Sequence, residues 1–512
     1  MSTASSGSVI NRIVSEPPPT GHRITLYRPG MTRSLELTEL YRQSVRVARY
    51  LAGLGVRRGD RIGVLAVNCL EWVLLDLAAL RIGAVTAGLE PGRFAATTDL
   101  LDRYELTVLF TDEPSDVPGV RGLDQVTRAA ADPDPVDAPD PVEYGRRDVT
   151  TLKFTSGSTG EPKVLAATVG SIDSSLRAVQ TMFAHGPGDH LLVFLPLSLL
   201  QQRYWIYSAL CFGHDVTLTT YADVFPALRR ARPTVVMGVP AFFQLARRGI
   251  EARGATAVFG DRVRYLWTGS APADPATLRF YADVGLPLFE GYGLNETCIV
   301  AKNHPGAHRE GSVGRVVPGK EVLIDADGFI SVRSDHPVNV AYAYAAPGES
   351  ERVFSDDGVV RTGDLGHVDE DGFLFIRGRG DDVLVLGNGR KIDVRPLEEF
   401  LRESPAVEEC VLCCPNRAAL VAVVSPPPGR PVVEQTIARL LAAANARFGE
   451  EVRIKRAVVA DPPFSIDNGL LTSQYKPRRN RILGLYDAEI HDGSTGVHAA
   501  PPEQQRKAES TP

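Results

Sequence analysis

The stretch Leu152 to Lys163, LKFTSGSTGEPK, holds the densest set of chemically capable side chains in the sequence. Thr155, Ser156, Ser158 and Thr159 offer hydroxyls, Gly157 and Gly160 let the backbone curl with its N–H groups turned inward, and Lys163 closes the run with a cation. Hydroxyls, backbone amides and one ammonium in a short loop make a cradle for phosphate oxygens. It is not a Walker A loop, in which the Lys directly follows the last Gly and opens a helix, because Glu161 and Pro162 intervene here. Pro162 biases Glu161 toward extended geometry, so Lys163 is predicted on a strand leaving the loop. A Ser/Gly-rich surface turn would share this composition; the order of hydroxyls, glycines, Pro and Lys favours the cradle.

Lysine is scarce, with arginine carrying most of the positive charge, so a lysine inside a motif is informative. Two more polar stretches follow apolar runs: Thr268-Gly269-Ser270-Ala271-Pro272 after Val263 to Trp267, and Glu290-Gly291-Tyr292-Gly293-Leu294-Asn295-Glu296 after Pro287 to Phe289. Ligands of open α/β sheets gather beyond the carboxyl ends of the strands, so these loops are expected to converge with the phosphate loop on one ligand. Downstream lie Arg361-Thr-Gly-Asp364, then Gly378-Arg379-Gly-Asp381, and finally the run from Asn468 to Lys476.

The elements that must hold these residues alternate. Thr38 reads as the N-cap of a helix whose apolar residues Leu40, Tyr41, Val45, Ala48 and Leu51 keep 3.6 spacing, with Gly53 and Gly55 ending it. A strand from Arg61 to Val67, a helix from Leu70 to Arg81 and a strand from Ala84 follow, as in a doubly wound parallel sheet. A Pro/Asp connector from Asp132 to Glu143 precedes the strand into the phosphate loop. Leu191 to Leu200 reads as a strand with a turn at Pro196, before a helix opened by Gln201, Gln202 and Arg203. From about residue 306 short strands and Gly/Asp turns predict a small β unit. A compact α+β module follows, with a helix from Val394 to Glu403 and strands between Ala406 and Ser425. The expected architecture is α/β: a large N-terminal domain of doubly wound sheets over 21–379 with a β-barrel-like subdomain at about 306–379, then an α+β domain over 380–486. A loose arm at 1–20 and a disordered tail at 487–512 are expected from their polar, Pro-containing composition.

The chain has 512 residues, 44% of them hydrophobic and 23% charged, enough for several cores. A net charge of -6 argues against coating nucleic acid. No basic start precedes an apolar run at the N-terminus, and the most apolar window, Trp72 to Leu89, is broken by Asp76 and Arg81, so neither signal peptide nor membrane span is expected. Cys410, Cys413 and Cys414 have no second ligand pair at metal spacing and read as buried strand thiols in a reducing, cytoplasmic compartment.

In their order, these motifs resemble those of the adenylate-forming enzymes, which include acyl-CoA synthetases, luciferases and peptide-synthetase adenylation domains. The resemblance runs from about residue 20 to 486. It implies that Thr155 to Gly160 and Lys163 hold the β- and γ-phosphates of ATP, that Gly269, Ser270 and Ala271 lie against adenine, and that Glu290, Gly291, Tyr292 and Gly293 form the segment whose tyrosine stacks on it. It also implies that Glu296 and Thr159 hold Mg2+, that Asp364 with Arg379 takes the ribose, and that Lys476 bridges carboxylate and α-phosphate. Asp381 falls at the family's hinge, about which the C-terminal domain is mobile. Gly387, Gly389 and Lys391, together with Phe464-Ser-Ile-Asp-Asn-Gly-Leu-Leu471, are similar to the long-chain fatty acyl-CoA synthetase branch and would lie on the CoA side. Asn295 stands where that family usually has Thr, Leu199 where the long-chain branch has His, and Glu90 to Arg93 lack the usual opening; these departures bear on the acid more than on the reaction. Because the carboxylate must reach the α-phosphate between two loops, the acyl pocket is expected at Leu199, Gly238, Val239, Phe242 and Phe243.

The implied activity is ATP-dependent activation of a carboxylic acid to an acyl adenylate with loss of pyrophosphate, then transfer to a thiol. That thiol would be CoA, and the acid long or bulky and hydrophobic, of fatty-acid or antibiotic-biosynthesis type. Two alternatives stand beside it. One is an acyl-AMP ligase that loads a carrier protein or hands the adenylate to a partner ligase; the other is a nucleotide-binding regulator without turnover.

Overall fold

In the computed structural model of the chain the described residues are 7–499 without 134–136, 155–162, 338–340, 356, 381–382, 386–390, 416–418, 430–432, 450–451, 473–474 and 493–495. Two large sheets form the N-terminal part. One has six strands in the order Val120–Gly122, Leu106–Thr111, Arg61–Leu65, Val85–Leu89, Val149–Phe154, Val164–Thr168; only the last pairing is antiparallel. The other has nine, with a parallel centre made by Leu288–Leu294, Tyr265–Thr268, Val235–Gly238, His190–Val193, Asp215–Leu218 and Arg23–Arg28.

The helices between the sheets are apolar nearly all round, the pattern of an element buried on every side. In Leu70–Ile82 eleven of thirteen residues are buried, and Leu200–Phe212 is similarly enclosed. A buried charged contact joins the two helices: Arg203 Nη1 lies 2.8 Å from Asp76 and 3.1 Å from Thr151 Oγ1, while the Tyr207 hydroxyl donates to Asp76 at 2.5 Å. Because removing one partner of a buried pair strands the other, this set fixes both helices to the strand that enters the phosphate loop.

The small β unit is a four-stranded antiparallel sheet, Lys320–Ile324, Phe329–Ser334, Val359–Val368 and Leu374–Arg379. The C-terminal module has a sheet of Glu409–Cys413, Leu420–Ser425, Ile454–Val459 and Val497–His498, with helices Arg395–Arg402 and Glu434–Phe448 packed on one face and the segment containing Phe464, Leu470 and Ile482 on the other. Cys410 and Cys413 are buried in it and unpaired. No described helix is long and apolar enough to cross a membrane.

Several expectations change. The N-terminal arm contains a helix, Val9–Ser15, capped by Ser8 and by Asp173, whose Oδ1 accepts from the Val9 and Ile10 amides; Val9, Ile10, Ile13 and Val14 are buried. The helix assigned to Thr38 begins at Leu37 after Glu36. The tail contributes the helix Asp487–His491 and the strand Val497–His498, which pairs with Ile454–Val459. Asp381, Gly387 and Gly389 lie outside the described residues, and Lys391 opens the short strand Lys391–Asp393.

Candidate active site

The phosphate loop itself, Thr155, Ser156, Gly157, Ser158, Thr159 and Gly160, lies outside the described residues. Its two flanks are well placed. The strand Val149–Phe154 enters it, and Lys163 stands immediately before the antiparallel strand Val164–Thr168, one residue short of the predicted strand position. Lys163 Nζ lies 4.9 Å from the centre of the Tyr342 ring, and the Tyr342 hydroxyl donates to Glu296 Oε1 at 2.8 Å. One tyrosine thus sits between the ammonium meant for phosphate and the carboxylate meant for metal. Lys153, buried in the entering strand, donates from Nζ to the Asn295 carbonyl at 2.7 Å, which fastens the Asn295-Glu296 turn to the same flank. The Asn295 residue is exposed.

The segment Glu290 to Gly293 is strand rather than loop. Leu288–Leu294 runs parallel to Tyr265–Thr268 and then antiparallel to Cys298–Lys302, with a shift of register at Tyr292 and Gly293. The glycines allow close backbone approach: a Cβ on Gly293 would sit 2.0 Å from the Cys298 carbonyl oxygen, and one on Gly291 would meet Lys302 Cδ at 2.6 Å. Glu290 does not face an open site. It is 8% exposed and its Oε1 accepts from the Ala273 amide at 2.8 Å, so it holds the Gly269-Ser270-Ala271-Pro272 turn, where Ser270 has φ 70°. Burial pushes the Glu290 carboxyl up to about 7. Gly269 abuts the Gly291 carbonyl, bringing the two motifs together.

Tyr292 points to the ribose motif. Its hydroxyl donates to Asp364 Oδ2 at 2.5 Å, and Arg379, opposite Asp364 in the register of the small sheet, places Nη1 3.5 Å from Oδ1. Asp364 is buried, and its amide is held by Thr362 Oγ1 at 3.0 Å. Lys476 of the C-terminal module lies within reach of the charges of this group. Burial and the Arg379 guanidinium pull its ammonium down to about 8, while the Asp364 carboxylate holds it up. The turn that carries the lysine is tight: the Thr472 amide donates to the Lys476 carbonyl at 2.8 Å and the Lys476 amide to Thr472 Oγ1 at 3.1 Å. It is anchored through Arg479, which donates to both oxygens of Glu398 at 2.7 and 2.9 Å.

The residues expected to line the acyl pocket are closely packed. Phe242 and Phe243 have no exposed surface and Val239 is 2% exposed; with Phe194, Phe259 and Tyr281 they form a packed core, and a Cβ on Gly238 would meet Phe242 Cδ1 at 2.6 Å. Leu199 caps the helix Leu200–Phe212 and packs on that core. The open space is a cavity of about 770 Å³ at the strand ends, bounded by Glu90, Arg93, Phe94, Ser198 and Tyr221 on one side and by Tyr475, Arg478 and Arg481 on the other.

Sequence reasoning missed Lys153 and Tyr342. The scarcity of lysine could have flagged Lys153, buried one residue before Phe154 at the mouth of the loop; nothing local marks Tyr342, whose partner is 46 positions away.

The fold is a two-module α/β architecture with polar groups gathered at the ends of its parallel strands, the place where such sheets bind ligands. Residues 18–335 match the AMP-binding enzyme family and 381–493 match the AMP-binding enzyme C-terminal domain, and the chain belongs to that family. It is 27% identical to a long-chain-fatty-acid–CoA ligase of Mycobacterium bovis (90% of this chain, 92% of the relative) and 27% identical to the 2-succinylbenzoate–CoA ligase of Bacillus subtilis (76% and 82%). Among solved structures it is similar to ATP-bound MatB from Rhodopseudomonas palustris, with TM-score 0.79 and 23% identity over 94% of this chain and 99% of that one.

Proposed function

We propose that the chain activates a carboxylic acid with ATP and passes the acyl group to the thiol of CoA. A carboxylate oxygen attacks the α-phosphorus, the bond to the β-phosphate oxygen breaks, and pyrophosphate leaves. The thiol sulfur then attacks the acyl carbon, AMP leaves with the bonding pair, and the thiol proton passes to solvent. The observation that carries this reading is the convergence of the Tyr292 hydroxyl and Arg379 on the buried Asp364 carboxylate, with Lys476 of the C-terminal module within reach of their charges.

Both reactants of the first step are anions, so positioning and charge neutralisation are the main levers. Lys163 and Lys476 approach from opposite modules and supply cations at the departing phosphates and at the α-phosphate. Asp364, fixed by the Tyr292 hydroxyl, accepts the ribose hydroxyls. Glu296 fits Mg2+: it keeps an oxygen beyond the one that Tyr342 uses, and a magnesium ion usually takes one or two carboxylates with the substrate's phosphates rather than a cage of protein ligands. When bound, the ion neutralises phosphate oxygens.

The acid is a long or bulky hydrophobic one and the reaction cytoplasmic; the likeness to a long-chain-fatty-acid–CoA ligase supports the first, and the need for ATP and CoA is in keeping with the second. Pyrophosphate release with ATP, Mg2+ and a panel of straight-chain, branched and aryl acids tests the reading, followed by thioester analysis with CoA and with a phosphopantetheinyl carrier protein. Pyrophosphate release without any acid-dependent stimulation would overturn it.

A further inference from the structure

Tyr475 has φ 59°, a left-handed backbone in a residue with a large side chain. Such a conformation is uncommon outside Gly, Asn and Asp, and it persists only where the surroundings over-determine it. Part of what holds it is local: the Tyr475 amide donates to the Thr472 carbonyl at 2.8 Å, closing the turn whose other bonds join Thr472 to Lys476. The rest comes from the other module. The Tyr475 ring lies 4.5 Å from the ring of Tyr221, with 33° between the planes.

Tyr221 is a firm socket. It follows the strand Asp215–Leu218 of the nine-stranded sheet, and its ring packs against Phe194 at 5.8 Å and Phe242 at 6.4 Å. The chain before it is tied down twice, since the Thr219 carbonyl accepts from Asn68 Nδ2 at 2.9 Å and Thr219 Oγ1 donates to the Tyr27 carbonyl at 3.0 Å. Beyond it, Thr220 Oγ1 donates to Asp223 at 2.8 Å. Tyr475 is covalently next to Lys476, so docking its ring on this socket sets the lysine's main chain to within one residue's reach, about 3.8 Å between neighbouring Cα atoms.

We propose that Tyr221 and Tyr475 are positioning residues: their stack latches the C-terminal module in the adenylate-forming pose and aims Lys476 at the Asp364 group. The proposal rests on the reading of Lys476 as the adenylation lysine. A contact made in one pose and broken in another shifts the population toward the first, so the latch favours the first half-reaction and must open before the second. The strained backbone at Tyr475 works in the opposite direction, because strain sustained by the stack is relieved when the ring leaves, which helps the latch to open for the second half-reaction.

The test uses the full chain, the acid with the fastest pyrophosphate release in the panel above, and its synthetic acyl adenylate. Tyr221→Ala and Tyr475→Ala are expected to slow pyrophosphate release about 3- to 10-fold, the range for loss of one aromatic pair. Thioester formation from the supplied adenylate should stay at the unmodified rate or rise. Tyr221→Phe and Tyr475→Phe should restore the first half-reaction, and the double alanine variant should be no slower than the slower single one. Equal loss in both half-reactions, or additive losses in the double variant, would overturn the latch. Lys476→Ala, assayed beside them, separates the two levels: if it has lost pyrophosphate release while the tyrosine variants have not, the latch alone fails, and if it releases pyrophosphate normally, the reading beneath the latch fails with it.

Discussion

Replacing Asp364 by Asn changes one charge and little else in shape, and the geometry around it sets two outcomes. The carboxylate accepts from the Tyr292 hydroxyl at 2.5 Å, faces Arg379 at 3.5 Å, and is buried, so it is prepared to take hydroxyl donors with little reorganisation. A hydrogen bond to a charged group contributes about 1.5–3 kcal/mol. Asn keeps one acceptor oxygen, so the expected loss corresponds to one such bond, about 10- to 150-fold weaker ATP binding. The second outcome concerns protons. Lys476 titrates at about 8, pulled down by burial and Arg379 and held up by Asp364. The protonated lysine is the active form, so pyrophosphate release falls as pH rises through about 8. Without the carboxylate the ammonium loses a favourable neighbour, and the alkaline limb moves to lower pH. Calorimetric titration with ATP and a pH–rate profile for pyrophosphate release check both. ATP affinity within a factor of two of the unmodified chain (about 0.4 kcal/mol), or an unmoved alkaline limb, would refute the placement of ribose and lysine around Asp364.

Gly293→Ala would place its Cβ 2.0 Å from the Cys298 carbonyl oxygen and 3.0 Å from Ile299 Cα, both main chain, so it should cost at least the upper end of about 1–3 kcal/mol and lower the thermal midpoint; an unchanged midpoint would mean the two strands are not so close. Ile10→Ala removes a side chain with no exposed surface and should cost about 2–5 kcal/mol by denaturant unfolding, whereas a loose arm would give no change. Gly238→Trp should destabilise the whole N-terminal domain rather than select small acids, because its Cβ already meets Phe242 and Phe243 at 2.6 and 3.1 Å; a folded variant with a shortened acid preference would restore the acyl pocket to this segment.

The residues legible in the sequence were those whose types are rare enough to carry meaning by themselves. Tyr292, Asp364 and Arg379 stand in short runs of glycine and charge and meet in the structure, and Lys476 of the other module lies within reach of their charges. Alternation of apolar runs showed the parallel sheets, since a buried parallel strand is apolar on both faces. What stayed hidden depended on distant partners. Gly-Tyr-Gly reads as a turn by composition, but the glycines serve a strand pressed against Cys298–Lys302. The pattern Val9, Ile10, Ile13, Val14 with Ser8 before it was a helix signal that Pro17 to Pro19 outweighed in the reading. The apolar segment holding Phe242 and Phe243 shows by composition only that it is buried, and its ring packing against Phe259 and Tyr281 is set by residues far along the chain. Tyr342 and Tyr221 act through partners 46 and more positions away, which no local pattern marks.

The central claim is that Lys476 serves acid activation while the C-terminal module is in the observed pose, and not the transfer that follows. Lys476→Ala, assayed separately for acid-dependent pyrophosphate release and for thioester formation from a supplied acyl adenylate, tests it most directly. Loss of the first with the second largely kept is expected; pyrophosphate release close to that of the unmodified chain would contradict this role of Lys476.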